Sequence, residues 1–317
     1  MDEIAEQAKA QLMMVEHIYD LKIINRDEVA GLIAANVDNN RQVLTICTSL
    51  NSWILLNKKK GDAVIPHEVL SKLFETTRWQ GSMHRQGNML DLPKLMLGTS
   101  PFIGAGQFGS KSLDYRRRFF ENPDNMTRLF LHSASLGVRV VQLVGYRPLV
   151  EALMKAQELA GDFFVAVTIP RGDFATNLDL ISPLEPEFVS VHAQFCDQND
   201  SRLNEWIDLI RDAGAKPAAS THSPGTTIPL LDDLDFEAYL APVNSVGYGM
   251  EPDIESTLKA LQRTKKAVIA IKPLAAGKVS PERSVFEYIY RHADSIAVGI
   301  TSEKEMEETY SAALAYG

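Results

Sequence analysis

Residues 96–109, MLGTSPFIGAGQFG, place Gly104, Gly106 and Gly109 at the spacing of the dinucleotide-binding fingerprint, directly after an apolar run with the character of a strand. That fingerprint holds a pyrophosphate only when its glycines turn at once into a helix whose free N–H groups face the phosphates. Here they lead into SKSLDYRRRFFENPDN (110–125), which is polar, aromatic and interrupted by Pro123. The next helix is expected only near Pro123 or Asp124, and no acidic residue follows a second strand at the distance that reaches a ribose. The stretch therefore reads as a loop after a strand and not as the first turn of a Rossmann unit.

Working outward from that strand, short apolar runs alternate with amphipathic segments eight times. Strands are expected at 95–100, 138–144, 163–169, 188–193, 216–220, 239–245, 268–272 and 295–299, and helices near 124–136, 147–160, 174–181, 201–213, 226–236, 252–265, 281–292 and 302–315. Parallel strands need helical crossovers, and eight such units close a filled ring, so the expected fold is α/β, a (β/α)8 TIM barrel over residues 94–317. Before Pro93 the rhythm is helical. Ile4, Ala8, Leu12, Val15 and Ile18, then segments 29–33, 43–56 and 69–74, predict four helices and little strand. Residues 1–93 thus read as a helical N-terminal extension, a domain or cap, with connectors at 58–62 and 80–88. The run Lys58 to Lys60 reads as a solvated connector.

The 317 residues are 45% hydrophobic, ample for a large core, and the net charge of −9 argues against nucleic acid as a partner. Cys47 and Cys196 lie far apart with no Cys-x-x-Cys pair, which argues against a disulfide framework, an all-cysteine zinc site or an iron–sulfur cluster. The first 20 residues lack the basic start and apolar core of a signal peptide, and no stretch approaches the ~18 apolar residues of a membrane span. A cytoplasmic protein with a small-molecule substrate is expected, with self-association into a homo-oligomer left open.

In such barrels chemistry gathers just beyond the strand C-termini. The residues expected there include Tyr146, Thr168, His192, Ser220, His222, Asn244, Tyr248, Lys272, Gly299, Thr301 and Ser302. At this point a resemblance is specific. KLMLGTSPFIGAG (94–106), VHAQF (191–195), ASTHSPG (219–225), VIAIKPLAAGKV (268–279) and ADSIAVGITSEKEMEET (293–309) resemble the aldo-keto reductase family in order and spacing. The resemblance implies a glycine loop bordering cofactor and substrate, NADP or NAD as cofactor, and hydride transfer to a carbonyl. It also implies a Tyr proton donor tuned by a Lys and an Asp, with a His that orients the carbonyl.

Mapped on this chain, the His is His192 and the Tyr is Tyr146, displaced by one residue. The Asp position holds Gln142 in GVRVVQLVGY (137–146), and the Lys position holds Thr168 in FFVAVTIP (163–170). The implied catalytic residues are Tyr146, His192 and Lys272. The implied cofactor contacts are Ser220, His222, Pro273, Leu274, Gly277, Gly299, Thr301, Ser302 and Lys304, and Gln142, Thr168, Asn244 and Tyr248 face the substrate. Beyond the eighth strand Lys304 is the only cation, and Thr309 stands in the family's Asn position.

A tyrosine near its ordinary pKa of about 10 is a poor acid without a cation and a carboxylate beside it, so the expected activity is carbonyl reduction by an incomplete catalytic set. The alternatives are a non-redox barrel, either a Schiff-base lyase or aldolase using Lys272 as its amine, or an inactive binding or scaffold protein. The plainer reading of Lys272 is a lysine paired with a carboxylate at the barrel mouth. His192 and His222 with Asp197 or Glu251 would be the candidates for a metal site, and no metal is expected. Arg116 to Arg118 read as a phosphate clamp or a solvated basic turn, and the cysteines as buried small residues.

Overall fold

The protein is described by a computed structural model covering residues 2–37, 40–57, 61–80, 90 and 92–315. The lysine run 58–60 and positions 81–88 of the expected connector lie outside the described residues.

The N-terminal segment forms α1 (Asp2–Tyr19), β1 (Leu21–Ile23), α2 (Arg26–Asn36), α3 (Asn40–Asn57), β2 (Gly61–Ala63) and α4 (His67–Gln80). The two strands pair in parallel over three residues, too short for a periodicity of two to mark them. Leu12, Val29, Ile33, Ile46, Leu50, Ile54 and Leu70 assemble a buried cluster of their own, distinct from that of the barrel.

The barrel strands are β3 (Leu95–Gly98), β4 (Val140–Val144), β5 (Phe164–Thr168), β6 (Phe188–Val191), β7 (Lys216–Ser220), β8 (Ala238–Pro242), β9 (Ala267–Ile271) and β10 (Ser295–Gly299). They are parallel in sequence order, and β10 pairs with both β9 and β3, which closes the ring. Helices cover the outside, so the strands are apolar on both faces rather than alternating. After β3 a one-turn helix, α5 (Ser112–Tyr115), precedes α6 (Pro123–Ser135), α7 (Arg147–Ala160) and α8 (Phe174–Ile181). The one-turn α9 (Ala193–Cys196) follows β6, then come α10 (Leu203–Asp212), α11 (Pro224–Leu231), α12 (Ile254–Arg263), α13 (Arg283–Tyr290) and α14 (Glu303–Leu314). Local signals start these helices. Pro123 and Pro224 occupy first turns, and Asp173, Asp253 and Ser302 accept the N–H groups of Thr176, Ser256 and Glu305. The glycine stretch forms 3-10 turns at Ser100–Ile103 and Gly106–Lys111, and the second runs on directly into α5 and a π-turn at Arg116–Phe120, so helical structure begins well before the expected Pro123; α5 is a single turn, and Gly109 at φ 56° and ψ −124° kinks the segment ahead of it.

The N-terminal helices pack on the barrel face opposite the strand C-termini. Tyr19 donates to the Leu159 carbonyl at the end of α7 (2.8 Å) and Thr76 to the Leu136 carbonyl after α6 (3.2 Å). Gly137, at φ +87°, allows this approach, because a Cβ there would stand 2.9 Å from the Thr76 methyl. Arg139, just before β4, sends its guanidinium to the Ala160 and Asp162 carbonyls (2.7 Å each) and, across the boundary, to the Thr48 carbonyl (3.4 Å) and Ser52 Oγ (3.3 Å). Among the described residues, no helix is long and apolar enough to cross a membrane.

Candidate active site

A cavity of about 780 Å³ opens at the strand C-termini, within the range of small-molecule sites. Its floor is a polar layer across four adjacent strands. Gln142 on β4 donates through Nε2 to Thr168 Oγ1 on β5 (3.2 Å), which shares a hydrogen with Ser190 Oγ on β6 (3.3 Å), which shares one with Ser220 Oγ on β7 (3.2 Å). All four are buried. Buried polar atoms are tolerable when they satisfy one another, as these do. The two positions where the resemblance leads one to expect an Asp and a Lys therefore hold a neutral pair in direct contact.

His192 follows β6 and caps α9, its Nδ1 accepting the Gln194 N–H (3.1 Å). The ring proton of the neutral tautomer is then on Nε2, available as a donor. Burial lowers the His192 imidazole below its ordinary range, with the Arg171 charge adding to this and Asp197 opposing it. The His222 ring, 6.2 Å away and edge-on, is pushed down to about 4 by burial and then by Lys272. Asp197 anchors this side of the site. Its carboxylate accepts from Thr221 Oγ1 (2.6 Å), Thr227 Oγ1 (2.7 Å) and the His222 N–H (3.1 Å), tying the loop after β7 to α11. Among the described residues no group of three or more His, Cys, Asp or Glu is placed to hold a metal ion.

Lys272 directly follows β9 at φ +53°, a left-handed backbone that a residue with a side chain rarely adopts. The conformation is held from both sides, since the Lys272 carbonyl accepts from Ala275 N (2.9 Å) and Asn244 Nδ2 (3.3 Å). Burial lowers the Lys272 amine, and Asp197 opposes the shift. The turn Gly106–Lys111 after β3 packs against the turn Ala275–Gly277 after β9, and both line the cavity.

The cavity brings together Tyr146, His192, Lys272, Gln142, Thr168, Ser220, His222, Pro273, Leu274, Gly277, Gly299 and Thr301. Four expected contacts are not among its lining residues. Asn244 is fully buried, with its amide engaged by the Tyr248 backbone and the Lys272 carbonyl, so it positions the loop instead of facing substrate. The Tyr248 ring lies under the Lys278 ammonium (4.2 Å). Ser302 caps α14, and the Lys304 side chain is 87% exposed beside Glu308. Arg116 lies over the Phe120 ring and Arg118 over that of Phe119, away from the cavity lining. Both cysteines are buried, and burial raises their thiols. Sequence reasoning missed Ser190, Lys111, Glu305 and Glu308. The spacing Ser302-x-x-Glu305 is a capping box and was the available signal for Glu305.

No family model and no curated protein matches the sequence. Solved structures do match the fold. A candidate aldo-keto reductase from Pseudomonas aeruginosa superposes with a TM-score of 0.53 at 16% identity, covering 77% of this chain and 98% of that one. An aldo-keto reductase from Bacillus halodurans in its holo form gives 0.55 at 13% identity over 72% of this chain and 89% of that one. Its apo form gives 0.50 at 11% identity over 73% and 89%. The chain has the barrel fold of the aldo-keto reductases.

Proposed function

We propose that this chain is a divergent aldo-keto reductase that uses NADH or NADPH to reduce a small carbonyl compound, with Tyr146, His192 and Lys272 at the reacting centre. The observation that carries the reading is the convergence of these three residues, from the ends of three different strands, on one cavity with the Gln142–Thr168 pair at its floor. Two features suit a dinucleotide. Gly277, at φ +87°, lines the cavity with nothing within 4 Å of where a Cβ would stand, so phosphate or sugar can approach the backbone there. Thr309 Oγ1 is buried in the same wall without a partner, a vacancy that a ligand's polar group would fill. Ser220, Pro273, Leu274, Gly277, Gly299, Thr301 and Thr309 are the residues proposed to hold the nucleotide.

When bound, the dihydronicotinamide supplies a hydride to the carbonyl carbon. His192 donates from Nε2 to the carbonyl oxygen and fixes its direction. Lys272 brings positive charge towards the oxygen as negative charge develops on it, and Tyr146 delivers the proton that completes the alcohol. Titration with NADH and NADPH, followed by nicotinamide fluorescence and melting temperature, tests the reading, because a ligand that binds only the folded state raises its stability. Micromolar binding is expected, with turnover of an aldehyde panel that falls at least ~100-fold in Tyr146→Phe and His192→Ala. Absence of binding by either nucleotide would overturn it.

A second reading is favoured by the lowered Lys272 amine, which is nucleophilic when neutral and adds to a carbonyl, losing water to form an imine. Borohydride in the presence of an aldehyde would then leave a covalent adduct on the wild-type protein and none on Lys272→Ala.

A further inference from the structure

The polar layer on the cavity floor leaves two hydrogen-bonding positions open. Gln142 is only 5% exposed, and it lines the cavity. Its Nε2 donates to the Leu143 carbonyl (3.1 Å) and to Thr168 Oγ1 (3.2 Å). A carbonyl can only accept, so the amide cannot be turned the other way round, and both Nε2 hydrogens are spent. Oε1 therefore lies on the far side of the amide from both partners. No described residue donates to it, and it is not sealed into the core. It is an acceptor left open to the cavity.

The hydroxyls beside it leave one hydrogen over. Thr168, Ser190 and Ser220 carry three hydroxyl hydrogens between them, and the two bonds that join them use two. Ser190 is 1% exposed and does not line the cavity, so a spare hydrogen there would be buried without an acceptor, a costly arrangement. The spare hydrogen belongs instead to Thr168 or Ser220, both of which line the cavity. When Ser220 donates to Ser190 and Ser190 to Thr168, it falls to Thr168, next to the Gln142 acceptor.

A hydroxyl group completes this pattern with a single atom, donating to Gln142 Oε1 and accepting from Thr168 Oγ1. A carbonyl or carboxylate oxygen brings no hydrogen for Oε1, and a carboxylate would find no cation among the four floor residues. An ammonium brings no acceptor for Thr168. We propose that Gln142 and Thr168 form a subsite for a hydroxyl group of the substrate, separate from the carbonyl that is reduced, so that the substrate is a hydroxylated carbonyl compound with Gln142 as its specificity-determining residue. The inference rests on the reading of the cavity as the site of a carbonyl substrate, and it adds a second functional group to that substrate together with the side chains that recognise it.

The test uses ketone pairs in which a hydroxyl replaces a methyl: hydroxyacetone against butanone, and the homologous pair with one more methylene between carbonyl and hydroxyl. Binding is followed by NMR of the isotope-labelled protein, with and without NAD+, the Gln142 side-chain amide signals being assigned by their loss in Gln142→Met. The hydroxyl member of at least one pair is expected to bind about tenfold more tightly than its methyl counterpart, the size of two ordinary hydrogen bonds, and to shift the Gln142 amide signals. Gln142→Met and, as a second variant, Thr168→Val should each reduce that preference severalfold while the methyl ketones bind as before, which also shows that the variants fold. Equal binding within both pairs, no binding of either hydroxyketone with or without NAD+, or a preference that survives in both variants would overturn the subsite and leave nucleotide binding untouched. A hydroxyl preference in a protein that binds neither NADH nor NADPH would keep the subsite and remove the reduction.

Discussion

At the scale of single residues, the side chains at the floor of the cavity carry the sharpest expectations. Gln142 and Thr168 satisfy each other without charge. Gln142→Asp alone would put a carboxylate among hydroxyls with no cation, and a loss of about 2–3 kcal/mol in urea-derived stability is expected, less than for a fully dry site because the cavity admits water. Thr168→Lys in the same chain should recover at least half of that loss, and a double-mutant cycle reads the coupling. His222 gives a pH signature. The unfolded chain's imidazole titrates near 6.5, whereas in the folded protein burial first, then Lys272, His192 and Arg171, hold it at about 4 against the pull of Asp197. Between about pH 6.5 and 4 the unfolded state binds the extra proton, so stability falls as pH drops through that window and this contribution levels off below it. The melting temperature should fall more steeply in wild type than in His222→Gln, by a fraction of the full linkage because the residue keeps contact with solvent. The lining residues near the strand C-termini could be placed from the sequence because each strand is a separate apolar run and the chain beyond it turns polar. Asn244 and Tyr248 misled because a loop polar group looks the same whether it faces a ligand or closes its own turn.

At the scale of elements, all eight strands and the eight long helices that follow them were readable, since each is a separate apolar or amphipathic run, several with a capping residue or proline at the start. The ends were less so. The expected strand 95–100 stops at Gly98 because Thr99 already accepts into the turn carrying Pro101, and 239–245 stops at Pro242, beyond which Asn244 organises a loop. The N-terminal ladder of three-residue strands was hidden by its length. The cap of α14 belongs to this scale. Ser302→Ala removes the acceptor for Glu305 N and should destabilise the protein by about 1 kcal/mol, read from the midpoint of chemical denaturation.

For the whole molecule, Arg139 is the joint between the N-terminal helices and the barrel. Burial brings its guanidinium down to about 10, so it is charged at neutral pH, and its ring of carbonyl acceptors disperses that charge. Arg139→Met keeps much of the volume and strips the Thr48, Ala160 and Asp162 carbonyls of their donor. A loss of about 3 kcal/mol is expected, together with separation of the tryptophan signals of α3 and α10 (Trp53 and Trp206) into two unfolding steps. Coincident transitions would show that the joint does not couple the two parts. The closure of the ring by β10 on β3 has a consequence for how the chain is made. The partner of β3 is synthesised about 200 residues after it, so at ribosomal speeds of about 5–20 residues per second the first barrel strand waits roughly 10–40 s with an open edge. Throughout that interval the nascent barrel is an incomplete sheet whose unpaired edge is open to stray pairing.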